Sequence, residues 1–382
     1  MKRILTSLFA AIIAFSAAAQ SIVWHNPVDA GFPVIQGQGW QGEARENPYH
    51  RFPAFAKPLV RDAVWGLSTD TAGEALRFRT DTDELFVRYG VSGSFAMHHM
   101  PATGVSGVDI YTYDQNGGER WLAGQMRFAD TCSYTYRGID FEPEKAHDYI
   151  MYLPLYNGVT WLEVGVPEGK KFEWLPLRRE KPIVAYGTSI AHGACASRTG
   201  MAWTNILQRR FDTPVINLGF SGNAKFDTAV IDLIGQCDAS IYLIDAMPNS
   251  YSMPVEMLKD TCYKAMRRLR EARPETPILM IDHLGYPHGS TITERKQIAD
   301  RGNAAQHEVY EQLIAEGMND LYYLSYDEIA LPQDATVEGV HPSDYGMVVL
   351  ADKYEAKIRE ILNLPVGGTS TTTPITQNRD PY

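Results

Sequence analysis

Cysteine is scarce: Cys132, Cys195, Cys237 and Cys262 are the four in 382 residues. That excludes a small disulfide scaffold, which carries cysteine far more densely. No Cys-x-x-C pair occurs, so the common redox and zinc-knuckle motifs are absent. Four thiols permit three complete pairings and the spacing chooses none, so buried or paired structural cysteines are expected. Positive charge is also short, with 35 Lys and Arg against 46 Asp and Glu and a formal net charge of −11. This balance argues against a nucleic-acid partner and fits neutral substrates, sugars included, without identifying them. Beyond the first twenty residues no apolar run approaches the ~20 residues of a membrane span.

Those first residues read differently. Lys2 and Arg3 precede an apolar run from Ile4 to Phe15, closed by Ser16-Ala17-Ala18-Ala19. The expectation is a secretory signal peptide over 1–20, cleaved beside Gln20, on a protein exported to the periplasm or beyond. No cysteine stands there to take a lipid anchor. The length favours two domains.

Residues 21–180 read as β. Alternating segments such as Ala75–Thr80, Glu84–Tyr89, Val108–Tyr113 and Trp161–Val166 are separated by turn signals, among them Asn116-Gly117-Gly118 and Asn157-Gly158. Short strands at this spacing predict an all-β, jelly-roll-like sandwich. Around Arg178–Pro182 the pattern changes. Apolar strands at 183–186, 214–218, 240–245, 277–282 and 321–326 alternate with amphipathic stretches at 200–211, 227–235, 254–273 and 293–317, and a last helix at 343–363. That predicts an α/β domain over 181–364, a doubly wound, flavodoxin-like parallel sheet covered on both faces. The polar stretch 365–382 has little to bury and is expected to be a mobile tail. No internal repeat is present.

Ligands of open parallel sheets bind beyond the carboxyl ends of the strands. Read in order, those ends carry Gly187-Thr188-Ser189, then Gly219 to Asn223, then Asn249, then Asp282, His283 and His288, then Glu338 and His341. Singly, each has an ordinary reading as a cap, turn or surface residue. Together they make an acyl-transfer set: a hydroxyl nucleophile, a base, an orienting anion and oxyanion donors.

These residues resemble the SGNH, or GDSL, hydrolase family. Gly187-Thr188-Ser189-Ile190 matches its first block, with Thr188 where Asp is usual. Gly222 in Asn217–Gly222 matches the second. Asn249 matches the third, although Gly-x-Asn-Asp is replaced by Asp245-Ala246-Met247-Pro248-Asn249. Glu338-Gly339-Val340-His341-Pro342 matches the last, normally Asp-x-x-His. The N-terminal half resembles the β domain that precedes some bacterial members, through Gly107-Val108-Asp109-Ile110-Tyr111 for Gly-x-Asp-Leu-Tyr. The resemblance implies Ser189 as nucleophile, His341 as base and Glu338 as the triad acid. A backbone carbonyl, Asp334 or Asp344 are the alternatives to Glu338. It implies an oxyanion hole from Ser189, Gly222 and Asn249, with Asn223 as fallback for Asn249. Neither metal nor organic cofactor is required.

Other residues admit a second use. The His98-His99 pair and Asn223 are candidate substrate contacts at a domain crevice. Asp282, His283 and His288 match no metal motif. Cys195, six residues past Ser189, is a rival nucleophile in type only. Trp24, Trp40, Trp65 and Trp121 either stack on sugars or fill the sandwich. The resemblance to exported two-domain members implies a carbohydrate esterase that removes a short acyl group, acetyl foremost. An esterase for aryl or short-chain lipid esters, and a catalytically inactive glycan-binding protein, are the alternatives.

Overall fold

The computed structural model describes residues 21–113, 118–139, 147–289 and 291–365. The expected leader, the turn at Asn116-Gly117 and the expected tail beyond its first residue lie outside these. Among the described residues, the amino-terminal half contains eleven strands: β1 Ile22–His25, β2 Ile35–Gln36, β3 Ala75–Thr80, β4 Glu84–Val91, β5 Asp109–Tyr113, β6 Glu119–Leu122, β7 Gln125–Arg127, β8 Cys132–Arg137, β9 His147–Tyr152, β10 Val159–Pro167 and β11 Phe172–Trp174. They form two antiparallel sheets, ordered β1-β10-β4-β8-β7 and β11-β3-β9-β5-β6, with β2 added on β3. Alternation along each strand builds the core between them. Leu85, Val87 and Tyr89 meet Leu162 and Val164 of one sheet, and Phe78, Ile110 and Met151 of the other.

The second half carries β12 Ile183–Gly187, β13 Val215–Gly219, β14 Ile241–Asp245, β15 Ile278–Ile281 and β16 Leu321–Leu324. All pair in parallel, in the order β13-β12-β14-β15-β16. β12 to β15 are buried throughout, so they read as apolar runs, interrupted in β13 by Asn217, while Tyr322 and Tyr323 of β16 are half-buried. Val184, Tyr186, Ile244 and Met280 face one core, covered by helices Thr228–Ile234, Val255–Ala272 and Thr293–Ala315. Ile183, Ala185, Leu243 and Ile281 face the other, under Trp203–Phe211 and Asp344–Ile361.

The division near residue 180 separates the sheets but not the packing. Residues 37–73 hold no strand. They carry a helix, Asp62–Ser68, and send Trp40, Phe52, Val64 and Trp65 into the core of the α/β domain. The outer face of the second β sheet, with Tyr111 and Tyr152, docks on residues 199–209. Asp109 accepts hydrogen bonds from Arg198 Nη1 (2.8 Å) and the Gly200 N–H (2.7 Å), and the Arg209 guanidinium lies 3.9 Å from the Tyr111 ring centroid. Asp109 and Tyr111 of the Gly-x-Asp-Leu-Tyr-like stretch thus latch one domain to the other. All four cysteines are free and buried, so none of the pairings the sequence allowed is formed.

Candidate active site

Parallel pairing aligns Gly187 with Gly219 on one side and Asp245 on the other. Ser189, Gly222 and Asn249 follow those three ends closely, at the point where the strand order reverses direction. Ser189 opens a short helix, Ser189–His192, whose N-cap Thr188 accepts a hydrogen bond from the Ile190 N–H. Its hydroxyl is 2.9 Å from His341 Nε2. His341 Nδ1 is 2.7 Å from Glu338 Oε1, and the same oxygen accepts the His341 backbone N–H at 2.7 Å. A carboxylate only accepts, so Nδ1 carries the proton and Nε2 is left to accept from Ser189. Burial acts to raise the Glu338 carboxyl, but the hydrogen bonds from His341 outweigh it and hold the group below its ordinary value.

The loop carrying His341 is laced to the loop after Ser189. The Cys195 N–H donates to the Pro342 carbonyl (3.2 Å). Ser197 donates its N–H and hydroxyl to the Asp344 carboxylate (2.8 and 2.5 Å). Asp344 is thereby engaged elsewhere, and Asp334 is exposed. Of the acids weighed for the histidine, Glu338 is the one in contact.

Gly222 has φ +69°, a left-handed conformation that glycine adopts without strain. Asn249 Oδ1 accepts the Ala224 N–H at 3.3 Å, which leaves its amide NH2 as a donor. Asn223 is otherwise employed: it donates to the Ser221 carbonyl (2.9 Å) and accepts from Arg61 (2.9 Å). His99 lies beside His341 with ring centroids 5.5 Å apart, and His98 stacks on His99 at 4.3 Å. Asp282 accepts hydrogen bonds from the Tyr323 hydroxyl and the Tyr326 N–H. His283 accepts the Gly285 N–H, and burial lowers its imidazole to about 4. His288 packs against Gly339, where a Cβ would stand 2.6 Å from its Nδ1. Trp40 and Trp65 are core residues, Trp24 lies under Arg88, and Trp121 donates to Asp109.

Sequence reasoning missed the support that the β domain gives from behind. Arg51 is fully buried and donates to four carbonyls: Asn217 (3.0 Å), Gly219 (2.9 Å), Asp70 (2.8 Å) and Leu67 (2.5 Å). Burial lowers it to about 10, so it stays charged at neutral pH. Asn217 then bridges from β13 to the helix of Ser189, donating to Ala191 O (2.6 Å). The Tyr156 hydroxyl donates to Ser189 O (3.1 Å), and its ring stacks on buried His192 at 4.1 Å. Arg51 and Tyr156 carry no sequence signal of this duty, because the site residues they hold, Asn217, Gly219 and Ser189, lie more than 30 positions away. Cys195 is also at the site. Burial first, then the nearby Glu338 charge, raises its thiol to about 12, so at neutral pH it stays protonated and is no rival nucleophile to Ser189.

A hydroxyl, an imidazole and a carboxylate in line, beside a turn and a side-chain amide that can donate, define a serine hydrolase. Residues 180–359 match the GDSL-like lipase/acylhydrolase family, and residues 22–172 match the N-terminus of esterases of the SGNH-hydrolase type. The chain belongs to the SGNH/GDSL family of serine ester hydrolases. A Bacteroides ovatus protein described as a GDSL-like lipase is similar at 26% identity over 91% of this chain and 100% of its own, with a TM-score of 0.83. A salicylyl-acyltransferase from a tetracycline biosynthetic pathway (19% identity, 92% and 100% covered, TM-score 0.70) shares the fold. So does a family two carbohydrate esterase from Cellvibrio japonicus (14%, 90% and 99%, 0.52). No curated protein sequence matches.

Proposed function

We propose that this protein is an exported carbohydrate esterase that removes a short acyl group, acetyl foremost, from a glycan through an acyl-enzyme on Ser189. The observation that carries the reading is the relay from Ser189 Oγ to His341 Nε2 (2.9 Å) and from Nδ1 to Glu338 (2.7 Å). Ser189 Oγ bonds to the ester carbonyl carbon as His341 takes its proton. Collapse breaks the bond to the alcohol, which leaves with that proton. Water then attacks the acyl-enzyme, His341 accepts its proton and returns it to Ser189, and the carboxylic acid departs. Glu338 holds the Nδ1–H tautomer and stabilises the imidazolium. The Ser189 and Gly222 N–H groups and the Asn249 amide receive the oxyanion, each donor supplying about 3 kcal/mol of the barrier reduction.

Tyr345, four residues past His341, is 54% exposed, and an exposed aromatic side chain so close in sequence suits a glycan substrate. Carbohydrate esterases among the proteins of like fold agree with this reading. The strand order β13-β12-β14-β15-β16 supports a flavodoxin-like α/β domain. The leader-like residues 2–19 support export.

Turnover of p-nitrophenyl acetate by wild type and Ser189→Ala tests the reaction. Ser189→Ala is expected to lose about 10⁴-fold or more in kcat. Equal rates would overturn the enzyme reading. Release of acetate from a panel of acetylated oligosaccharides, followed by mass, tests the substrate. Activity confined to aryl esters would overturn the glycan assignment.

A further inference from the structure

Around the catalytic histidine three donors converge from three separate segments. One donor atom each from His99, Cys195 and His341 lies within 4.8 Å of the other two. Among the described residues, this is the one group of three or more His, Cys, Asp or Glu side chains so placed. We propose that these three side chains bind a soft divalent transition-metal ion, Zn²⁺ foremost, and that its binding switches the esterase off. The inhibition rests on the catalytic reading of His341; the binding does not.

Each donor has a structural reason to be there. Met97 and Met100 pair through both backbone hydrogen bonds (3.0 and 3.2 Å), so His98 and His99 form the tip of a tight turn from the β domain. Nδ1 of His99 is buried without a hydrogen-bond partner, which is a cost in a neutral ring and an opening for a ligand. The Cys195 N–H bond to the Pro342 carbonyl holds the thiol segment beside the His341 loop. Cys195 is a free thiol and 4% exposed.

The chemistry of the set selects the ion. Two imidazoles and a thiolate suit Zn²⁺, Co²⁺ or Cu²⁺ and disfavour Mg²⁺ and Ca²⁺, which take oxygen ligands. Tetrahedral zinc, with bonds of about 2.0–2.3 Å, needs donors roughly 3.5 Å apart, so the three close by about 1 Å on binding. The turn bearing His99 supplies that movement through side-chain rotation. On the far side of His341, Glu338 already accepts the Nδ1–H at 2.7 Å. That is the carboxylate–histidine–metal arrangement, with the ion taking Nε2 in place of the Ser189 hydroxyl that stands 2.9 Å from it. Cys195 binds as thiolate, its proton passing to solvent. With its Nε2 lone pair on the metal, His341 cannot accept the Ser189 proton, and acylation stops.

Co²⁺ titration of chelator-treated full-length protein, followed by absorption, tests the site. A thiolate-to-cobalt charge-transfer band and tetrahedral d–d bands are expected in wild type and in Ser189→Ala. Cys195→Ser is expected to lose the charge-transfer band, and His99→Gln, at the tip of a half-buried turn, to weaken binding at least about 10-fold. In parallel, Zn²⁺ should inhibit p-nitrophenyl acetate hydrolysis reversibly with EDTA. Each variant is scored against its own metal-free rate, and the inhibition midpoint should rise at least about 10-fold in Cys195→Ser. Absence of the charge-transfer band, or one Zn²⁺ midpoint for wild type, Cys195→Ser and His99→Gln, would overturn the proposal. If Ser189→Ala were as active as wild type, the esterase reading would fail, while the spectra would still decide the metal site.

Discussion

At the scale of the residue, the feature that most needs explaining is a glutamate where an aspartate is usual. The extra methylene is absorbed by the loop. Val337 N–H donates to His341 O at 2.8 Å, closing the chain from 337 to 341, and Glu338 folds back so that one oxygen serves both the backbone and the ring of His341. The carboxylate therefore positions the imidazole twice, through the chain and through the ring. Glu338→Gln keeps the size, removes the charge and permits the wrong tautomer. A fall in kcat of about 10²–10⁴-fold with KM little changed is expected. Steady-state kinetics showing less than a threefold change would remove Glu338 from the relay.

At the scale of the element, the site depends on how three strand ends are held level. Arg51 secures one of them, β13, from outside the α/β domain, since its guanidinium ties the carbonyls of Asn217 and Gly219 to those of Leu67 and Asp70. Arg51→Leu leaves these buried acceptors without a donor. It is expected to cost about 3 kcal/mol or more of stability and to lower kcat, because Gly219 leads directly into the Gly222 turn. Denaturant unfolding checks the first, and an unchanged midpoint would contradict it. The sequence makes the parallel strands legible because both faces are buried, so Ile183–Tyr186 and Ile241–Ile244 are unbroken apolar runs. It makes the order Ser189, Gly222, Asn249, Glu338, His341 legible because strand ends in a parallel sheet share one edge. Residues 37–73 were not legible: Trp40, Phe52 and Trp65 alternate with nothing nearby, and their packing partners lie in the other half of the chain. The place of Cys195 beside His341 was hidden for the same reason, since hydrogen bonds between distant loops set it.

At the scale of the whole molecule, two domains enclose one site and share a core, so stability and catalysis are linked. Asp245 ends β14 in full burial, with Oδ2 accepting from Tyr354 (3.3 Å) and Oδ1 without a partner. Burial raises its carboxyl to about 8, only partly offset by Tyr354. The folded protein thus holds a proton that the unfolded chain releases above its ordinary carboxylate value of 3.8. Stability from this group is greatest below that value and falls as pH rises toward 8, by about 1.4 kcal/mol per pH unit. Asp245→Asn keeps the shape and removes the proton. Its stability relative to wild type should climb steadily from pH 5 to pH 8, read by thermal unfolding across that range; a constant difference would show that Asp245 is already ionised in the folded state.

The account stands on the oxygen of Ser189 acting as nucleophile. Reaction of the intact protein with a fluorophosphonate, followed by mass spectrometry and peptide mapping, measures that directly. One adduct per chain on Ser189, absent in Ser189→Ala and slowed in Glu338→Gln, is the result expected. An adduct on any other side chain, or equal labelling of Ser189→Ala, would contradict it.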